Sequence, residues 1–189
     1  IDPYTARVMD AAKKLKIIAR VGAGYDTVDI PAATQRGIYV TYTPIPELPK
    51  AVADETFALM LSVSRKIPQM NSHVREGGFD VEWSCSIALD IYPLTLGIIG
   101  LGHIVAEVAK RARCFGMKVF YYDKIRRQGL EKELDLHYMA MDELLANSDI
   151  VTIHTSLNPE TRGMIGKREI SLMKKEAIII NTSRGPIIQ

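Results

Sequence analysis

Two glycines and one acidic residue are the features of this sequence that point most directly to chemistry. Gly100 and Gly102 follow a compact apolar run, and Asp123 closes a second apolar run about 20 residues after Gly102. The glycines would let the chain turn sharply and let backbone N–H groups approach a pyrophosphate, next to the positive end of the following helix. An acid at this offset can accept a hydrogen bond from the ribose 2′-hydroxyl of NAD. Residues 95–123 therefore predict a dinucleotide-binding βαβ unit with NAD as its cofactor.

The third position of the glycine pattern departs from the usual one. Val105 stands where G-x-G-x-x-G or G-x-G-x-x-A places a small residue. This β-branched side chain would either push the helix away from its strand or be accommodated by small neighbours such as Ala106 and Ala109. The alternative interpretation is an α/β turn that uses glycine only for its geometry and binds no phosphate.

Further candidate residues follow other apolar runs, where the ends of parallel strands are expected. Residues 21–26 form a glycine turn whose N–H groups could bind an anion. Residues 154–156 follow the run IVTI, and residues 181–185 follow AIII. Arg184 in the last segment would hold a carboxylate with its two-pronged guanidinium, or else form a surface ion pair, and the residue pattern leaves both interpretations open.

The elements that would position these residues alternate between strand and helix. Strands are predicted at 95–99, 118–122, weakly near 134–138, 150–154 and 177–181, with helices such as 141–146 and 167–173 between them. Near-continuous apolar strands separated by helices are typical of a parallel sheet covered on both faces. The fold class is therefore α/β, a doubly wound parallel sheet of the Rossmann type.

A smaller α/β segment precedes this sheet. Residues 1–47 contain a predicted helix at 3–14, strands at 16–20 and 38–42 and a helix at 30–36. Three prolines, Pro44, Pro46 and Pro49, then indicate a stiff connector. We expect a partial substrate domain of flavodoxin-like fold over 1–47 and a partial dinucleotide-binding domain over 48–189. From Ala51 a long helix is predicted, with an apolar stripe through Val52, Phe57, Ala58, Leu61, Val63 and Ser64.

Composition excludes several other classes of protein. The formal net charge is +2, with no basic tract, so we expect no nucleic-acid partner. No run of about 18 apolar residues exists, so no membrane partner is expected either. The cysteines and histidines show no metal-ligand spacing, and two cysteines without a C-x-x-C pattern favour a cytoplasmic location. Both ends of the sequence look cut, which predicts part of a longer protein.

Four blocks of the sequence, in order, resemble the D-isomer-specific 2-hydroxyacid dehydrogenases. The likeness is strongest to glyoxylate/hydroxypyruvate reductases and D-3-phosphoglycerate dehydrogenases. The blocks are LKIIARVGAGYDTVDIPAATQRGI, VADETFALMLSVSR, TLGIIGLGHI with the following AKRARCFGMKVFYYD, and DIVTIHTSLNPETRGMIGKREISLMKKEAIIINTSRGPII. The resemblance implies an NAD-dependent enzyme that transfers a hydride to or from a small 2-oxo or 2-hydroxy acid, and a homodimer with the long helix at its interface.

The resemblance also implies a role for each matched position. Arg184 matches the catalytic arginine, and Ala23 and Gly24 match the loop whose amides hold the substrate carboxylate. The positions matching cofactor contacts are Gly100, Gly102, His103, Ile104, Asp123, His154, Thr155, Ser156, Thr182 and Ser183.

Two departures from the family pattern stand beside these matches. His103 and Val105 replace the usual arginine and small residue, and the family's catalytic glutamate and histidine would lie after Gln189. The chain is thus expected to be either part of an enzyme, which we favour, or a degenerate copy. An NAD(H)-sensing transcriptional corepressor of the same fold, or a bare nucleotide-binding module, is the alternative function.

Overall fold

Five parallel strands form the sheet that organises most of this chain. The computed structural model describes residues 3–79 and 88–189. The chain divides into two compact units, Ile1–Leu48 and Pro49–Gln189. This division lies one residue after the expected boundary, while the assignment of a substrate and a cofactor role to the two units stays a prediction.

The first unit is a small α/β arrangement. Its elements are α1 (Ala6–Ala11), β1 (Ile17–Arg20), α2 (Ile30–Gln35) and β2 (Tyr39–Tyr42), with β1 and β2 parallel. Asp29 caps α2, because its carboxylate accepts a hydrogen bond from the Ala32 N–H at 2.9 Å. The core of this unit consists of Met9, Ile18, Val28, Ala32, Ala33 and Ile38.

The second unit contains the larger sheet, in the strand order β5-β4-β3-β6-β7. Its strands are β3 (Thr95–Ile99), β4 (Lys118–Tyr122), β5 (His137–Tyr138), β6 (Ile150–Ile153) and β7 (Ile178–Asn181). Its helices are α3 (Leu48–Ser64), α4 (Ile67–Arg75), α5 (His103–Cys114), α6 (Gln128–Leu134), α7 (Met141–Asn147) and α8 (Lys167–Leu172), followed by a 3₁₀ turn (Gly185–Ile187). The predicted doubly wound parallel α/β fold is confirmed, and β3 and β4 have the predicted bounds.

Alternate residues of the strands enter cores on opposite faces of the sheet, as the period of a strand requires. Leu96 and Ile98 of β3 pack in a cluster with residues of α3 and α5. Ile99 belongs to a second cluster with Leu144 and Leu145 of α7. The apolar strand runs are thus explained by burial on both faces.

A glycine that sequence analysis did not single out lets α7 approach the sheet. A Cβ added to Gly97 would lie 2.2 Å from the Ser148 Oγ and 2.6 Å from a Leu144 methyl carbon. Any side chain here would displace α7 from β3, so the first glycine of TLGIIG serves packing.

Val105 does not push α5 off the sheet. Its side chain is fully buried and packs in the cluster that contains Ala109 and Ala112. Of the two outcomes expected for this departure, the full burial of Val105 in a cluster with Ala109 and Ala112 fits accommodation by small neighbours.

The predicted apolar stripe of the long helix was partly wrong. The buried residues of α3 are Ala53, Thr56, Phe57, Met60 and Ser64, which recur every three or four positions. Ala58 and Val63, which we placed in the stripe, are exposed. Hydrophobicity alone misplaced part of the face, because Ala58 and Val63 are apolar yet exposed, while Thr56 is polar yet buried with its hydroxyl bonded to the Val52 carbonyl.

Candidate functional site

The predicted cofactor residues of the second unit gather at one edge of its sheet. Because the strands are parallel, the residues after β3, β4, β6 and β7 all lie at the carboxyl edge. From β3 the strand order runs through β4 in one direction and through β6 in the other. This reversal is the topological switch point at which ligands bind in open α/β sheets.

The glycine turn after β3 is tight and is fixed by its neighbours. Gly100 has φ +103°, in the region that favours glycine, and its N–H donates to the Tyr122 carbonyl at 2.8 Å. A Cβ added to Gly100 would lie 2.9 Å from the backbone oxygen of His154. Gly100 therefore lets the turn after β3 pack directly on the turn after β6.

Gly102 leaves open space in front of α5. It is the N-cap of this 12-residue helix, has extended backbone, and a Cβ added to it would meet nothing within 4 Å. The N–H groups of His103 and Ile104, in the first turn, have no acceptor within the helix. Open space before free N–H groups and a positive helix end fits a pyrophosphate, which is what the matched positions predict.

The carboxylate of Asp123 is held beside the glycine turn. One oxygen accepts from the Leu101 N–H at 2.7 Å and the other from the Ile125 N–H at 2.9 Å. Each carboxylate oxygen has a second lone pair, so a ribose hydroxyl can still donate to it. The position fits the predicted ribose acid.

Two cations that follow Asp123 are engaged by other carboxylates. Lys124 pairs with Glu160 at 2.7 Å, and Arg126 pairs with Glu131 at 2.7 Å. Hydrogen bonds, the larger effect from Arg126 and the smaller from Tyr121, lower the pKa of Glu131 to about 2. This carboxylate therefore stays ionised at neutral pH. The pairing directs the Arg126 charge toward Glu131.

His154 directly follows β6, which ends at Ile153, one residue before the predicted end. Its Nε2 lies 2.9 Å from the Thr152 Oγ1 and its Nδ1 lies 3.4 Å from the Thr182 Oγ1. Burial lowers the pKa of His154 to about 4, since the imidazolium would lose its hydration. A neutral ring with both nitrogens engaged is unsuited to donate a proton to a substrate at neutral pH.

The turns after β6 and β7 are joined to each other. The Ser183 hydroxyl donates to the Thr155 carbonyl. The Asn181 side chain accepts from the Ser183 N–H at 3.0 Å and donates to the Arg184 carbonyl at 2.9 Å. These bonds hold the backbone of the half-buried Arg184 at the carboxyl edge.

A cleft of about 360 Å³ lies beside this turn in the second unit. It is lined by Ala51, Val52, Glu55 and Leu59 of α3 and by Asn181 and Thr182. The end of β7 therefore adjoins a concavity large enough for part of a ligand.

The other predicted substrate contacts lie in the first unit. Ala23 and Gly24 are in the turn after β1, which begins with Gly22 at φ +100°. The Gly22 N–H donates to the Thr43 hydroxyl at 2.7 Å, and Arg20 Nη2 donates to the Gly24 carbonyl at 3.4 Å. This turn is thus tied to the turn after β2.

Two polar residues of the site escaped the sequence analysis. They are Thr56 and Thr152, and both are fully buried. The available signal was a polar residue inside an apolar pattern, in the helix block and in IVTI. A buried polar group needs a partner and so points to a network.

Across residues 3–79 and 88–189, no group of three or more His, Cys, Asp and Glu side chains is placed to bind a metal ion. No helix in the described part of the chain has the length and hydropathy needed to cross a bilayer.

Comparison with known proteins adds independent observations. Residues 57–189 match the family described as D-isomer specific 2-hydroxyacid dehydrogenase, NAD binding domain. A glyoxylate reductase of Korarchaeum cryptofilum is 46% identical over 189 residues, which are 99% of this chain and 57% of that protein. The chain thus spans little more than half the length of the curated relatives it matches.

Solved structures agree with this match. A glyoxylate reductase from Paecilomyes thermophila has a TM-score of 0.82 at 38% identity, over 99% of this chain and 56% of that one. A D-lactate dehydrogenase from Aquifex aeolicus, complexed with NAD and lactic acid, has a TM-score of 0.86 at 35% identity, over 98% and 55% of the two chains. None of the proteins named here is a phosphoglycerate dehydrogenase, so that likeness stays a prediction.

Proposed function

Because this chain belongs to the D-isomer-specific 2-hydroxyacid dehydrogenase family, whose NAD-binding domain it contains, we propose that the whole protein reduces a small 2-oxo acid with NADH. Glyoxylate is the first candidate substrate, since the relatives named above include glyoxylate reductases. When bound, the nicotinamide supplies or accepts the hydride at the substrate C2. The proposal rests above all on the carboxyl edge of the sheet, where the glycine turn, Asp123 and Arg184 occur together.

The cofactor roles follow from the chemistry of the chain's own groups. The N–H groups of His103 and Ile104 are proposed to bind the pyrophosphate, and Asp123 the ribose. Gly100 and Gly102 provide the tight turn and the open approach. The turns containing His154, Thr155, Ser156, Thr182 and Ser183 are proposed to border the nicotinamide half.

The substrate roles are proposed for both units. Arg184 would bind the substrate carboxylate and polarise the carbonyl, since a guanidinium offers paired donors in a fixed plane. The Ala23 and Gly24 amides of the first unit are proposed, on the resemblance alone, to bind a substrate carboxylate. We accordingly propose residues 1–47 as part of a substrate domain and 48–189 as part of the cofactor domain, in a cytoplasmic protein.

A homodimer is also proposed. Leu59 and Val63 of α3 and Ile67 and Val74 of α4 are 38%, 42%, 51% and 58% exposed. Burying apolar side chains of this size is favourable, so a second copy of the chain is their proposed partner.

The comparisons favour the dehydrogenase over the corepressor alternative, because the relatives and structures named above are reductases and dehydrogenases.

The direct test is NADH oxidation by the full-length protein with glyoxylate, hydroxypyruvate or pyruvate. The reaction is followed as the loss of absorbance of the reduced nicotinamide at about 340 nm. Arg184→Gln should lower kcat/KM by roughly 100-fold or more, about 2.7 kcal/mol. Arg168→Gln, which removes an exposed ion pair with Asp142, is the control and should change kcat/KM little. No turnover of any 2-oxo acid by the full-length protein would refute the proposal.

A further inference from the structure

A row of three hydroxyls and one imidazole, two of them fully buried and two half-buried, crosses the second unit from α3 past the end of β7 to β6. The Thr56 Oγ1 lies 2.8 Å from the Val52 carbonyl and 3.2 Å from the Thr182 Oγ1. The Thr182 Oγ1 lies 3.4 Å from the His154 Nδ1, and the His154 Nε2 lies 2.9 Å from the Thr152 Oγ1. Thr56 and Thr152 are completely buried, whereas Thr182 and His154 are half-buried. The two buried hydroxyls therefore need protein partners, which are Val52 and Thr182 for Thr56 and His154 for Thr152.

The number of protons in this row sets the direction of each hydrogen bond. A hydroxyl has one proton to donate, and Thr56 donates its proton to the Val52 carbonyl. Thr56 must therefore accept from Thr182, which leaves Thr182 without a proton for His154. The His154 Nδ1 must then carry the ring proton and donate it to Thr182.

The remaining nitrogen completes the row. A neutral imidazole has one N–H, so Nε2 is bare and accepts the hydroxyl proton of Thr152. Every proton in the row then has an acceptor. In the reverse direction Thr152 would accept from Nε2–H, and its own buried proton would have no acceptor among the described residues, which costs free energy.

We propose that Thr56 and Thr182 are positioning residues that fix His154 as the neutral Nδ1–H tautomer and so hold the turn after β6 against the turn after β7. The bond from Ser183 to the Thr155 carbonyl joins the same two turns. The tautomer follows from the geometry alone, whereas its effect on NADH binding rests on the proposed function. Burial also keeps this ring uncharged, because it lowers the pKa of His154 to about 4.

Nitrogen-15 NMR of the ring tests the tautomer. In the native chain at pH 7.5, the His154 Nδ1 should show the chemical shift of a protonated nitrogen and Nε2 that of a bare one. Thr56→Val removes a hydroxyl that does not touch the ring, yet it frees the Thr182 proton for Nδ1. Because Thr152 still favours Nδ1–H, we expect the two tautomers to become closer in free energy, so that the fraction of Nε2–H rises above its native value. Thr182→Val should cause the same change by removing the acceptor of Nδ1–H.

Conservative and matched variants separate this positioning role from a general loss of structure. Thr56→Ser and Thr182→Ser retain the hydroxyl and should retain the Nδ1–H tautomer. Thr34→Val removes an equivalent bond from a helix hydroxyl to a carbonyl, that of Ile30 at 2.9 Å, in the first unit and should leave the tautomer unchanged. A native chain in which Nε2–H predominates, or a Thr56→Val variant with the same tautomer fractions as the native chain, would overturn the assignment.

NADH titration tests the functional part separately. Thr56→Val should weaken NADH binding roughly three- to tenfold, and Thr56→Ser should stay within roughly twofold of the native chain. A changed tautomer with unchanged affinity would refute the positioning role. If the native chain bound no NADH, the proposed function would fail, while the NMR spectra would still decide the tautomer.

Discussion

The Asp123 carboxylate is oriented by two backbone N–H groups, those of Leu101 and Ile125, before any cofactor binds. A negative charge fixed at this place would repel a 2′-phosphate and accept a hydrogen bond from a free 2′-hydroxyl. Nearby cations would attract a 2′-phosphate and so oppose this preference for NADH. Lys124 and Arg126 do so only weakly, because they pair with Glu160 and Glu131. At the scale of single residues, cofactor choice therefore depends on Asp123.

We predict that NADH binds more tightly than NADPH by roughly tenfold, about 1.4 kcal/mol, and that Asp123→Ser narrows this difference. Fluorescence titration with both cofactors measures the two dissociation constants and hence this difference. Asp149→Ser is the matched control, because Asp149 also accepts a backbone hydrogen bond, from Thr95 at 2.8 Å, but at the opposite end of the strands. Equal or tighter NADPH binding by the native chain would contradict the prediction.

His154 makes stability depend on pH in a defined range. Its pKa is about 4 in the folded chain and 6.5 when unperturbed, so below pH 6.5 the unfolded chain binds a proton that the folded chain does not. The contribution of His154 to the free energy of unfolding is therefore fully present above pH 6.5. It is lost as the pH decreases toward 4, which lowers the free energy of unfolding by up to about 3 kcal/mol.

Urea unfolding at several pH values measures this effect. His154→Gln should flatten the dependence between pH 6.5 and 4, whereas His137→Gln, at an exposed position, should leave it unchanged. Glu131 acts in a lower range, because its lowered pKa makes stability fall only as the pH decreases below about 4.5 toward 2. A native chain whose stability is constant from pH 6.5 to 4 would show that His154 is not buried as described.

At the scale of elements, the two glycines of the turn between β3 and α5 have separable roles. Gly100 is required by the backbone, since its φ is +103° and an added Cβ would lie 2.9 Å from the His154 backbone oxygen. Gly102 has extended backbone and open space around it. One glycine therefore maintains the fold, and the other leaves room for a ligand.

We predict that Gly100→Ala lowers the free energy of unfolding by about 1–3 kcal/mol and also weakens NADH binding. Gly102→Ala should lower stability by no more than about 1 kcal/mol while weakening NADH binding roughly tenfold or more, because its methyl group would enter the proposed pyrophosphate space. Thermal unfolding and calorimetric titration separate the two effects. Gly129→Ala, also in open space, is the control. Normal NADH affinity in Gly102→Ala would place the pyrophosphate elsewhere.

At the scale of the whole molecule, we predict a dimer formed through α3 and α4. Val63→Glu would place a charge on the exposed apolar face and should weaken dimerisation more than roughly tenfold. Val8→Glu changes a side chain of similar exposure, 44% against 42%, in the first unit and serves as the control. Sedimentation equilibrium distinguishes the variants, and a native chain that stays monomeric at high concentration would refute the interface.

We also predict that the 189-residue chain binds NADH without turning over glyoxylate, hydroxypyruvate or pyruvate. The blocks that match the family include Arg184 but no counterpart of its catalytic glutamate and histidine. His154 is unsuited to replace them, since desolvation lowers its pKa to about 4 and both of its ring nitrogens are hydrogen-bonded. Saturable oxidation of NADH above background would mean that another residue donates the proton.

Much of this molecule follows from local patterns in its sequence. Apolar runs of strand length, separated by helices, predicted β3, β4, β6 and β7 to within one residue. The spacing of Gly100, Gly102 and Asp123 predicted their meeting at the carboxyl edge. These predictions succeed because the period of a strand and the conformational freedom of glycine are properties of short segments.

Only the tertiary structure decided which groups meet across long sequence distances. Thr56 and Thr182 are 126 positions apart, and their contact depends on which face of α3 packs on the sheet. Hydrophobicity identified that face only in part, because Thr56 is polar in the sequence but is buried with its hydroxyl bonded to the Val52 carbonyl. The same holds for Val105, which is buried in a cluster that also contains Ala109 and Ala112. Packing, unlike strand pattern, is a property of neighbours that the sequence does not place side by side.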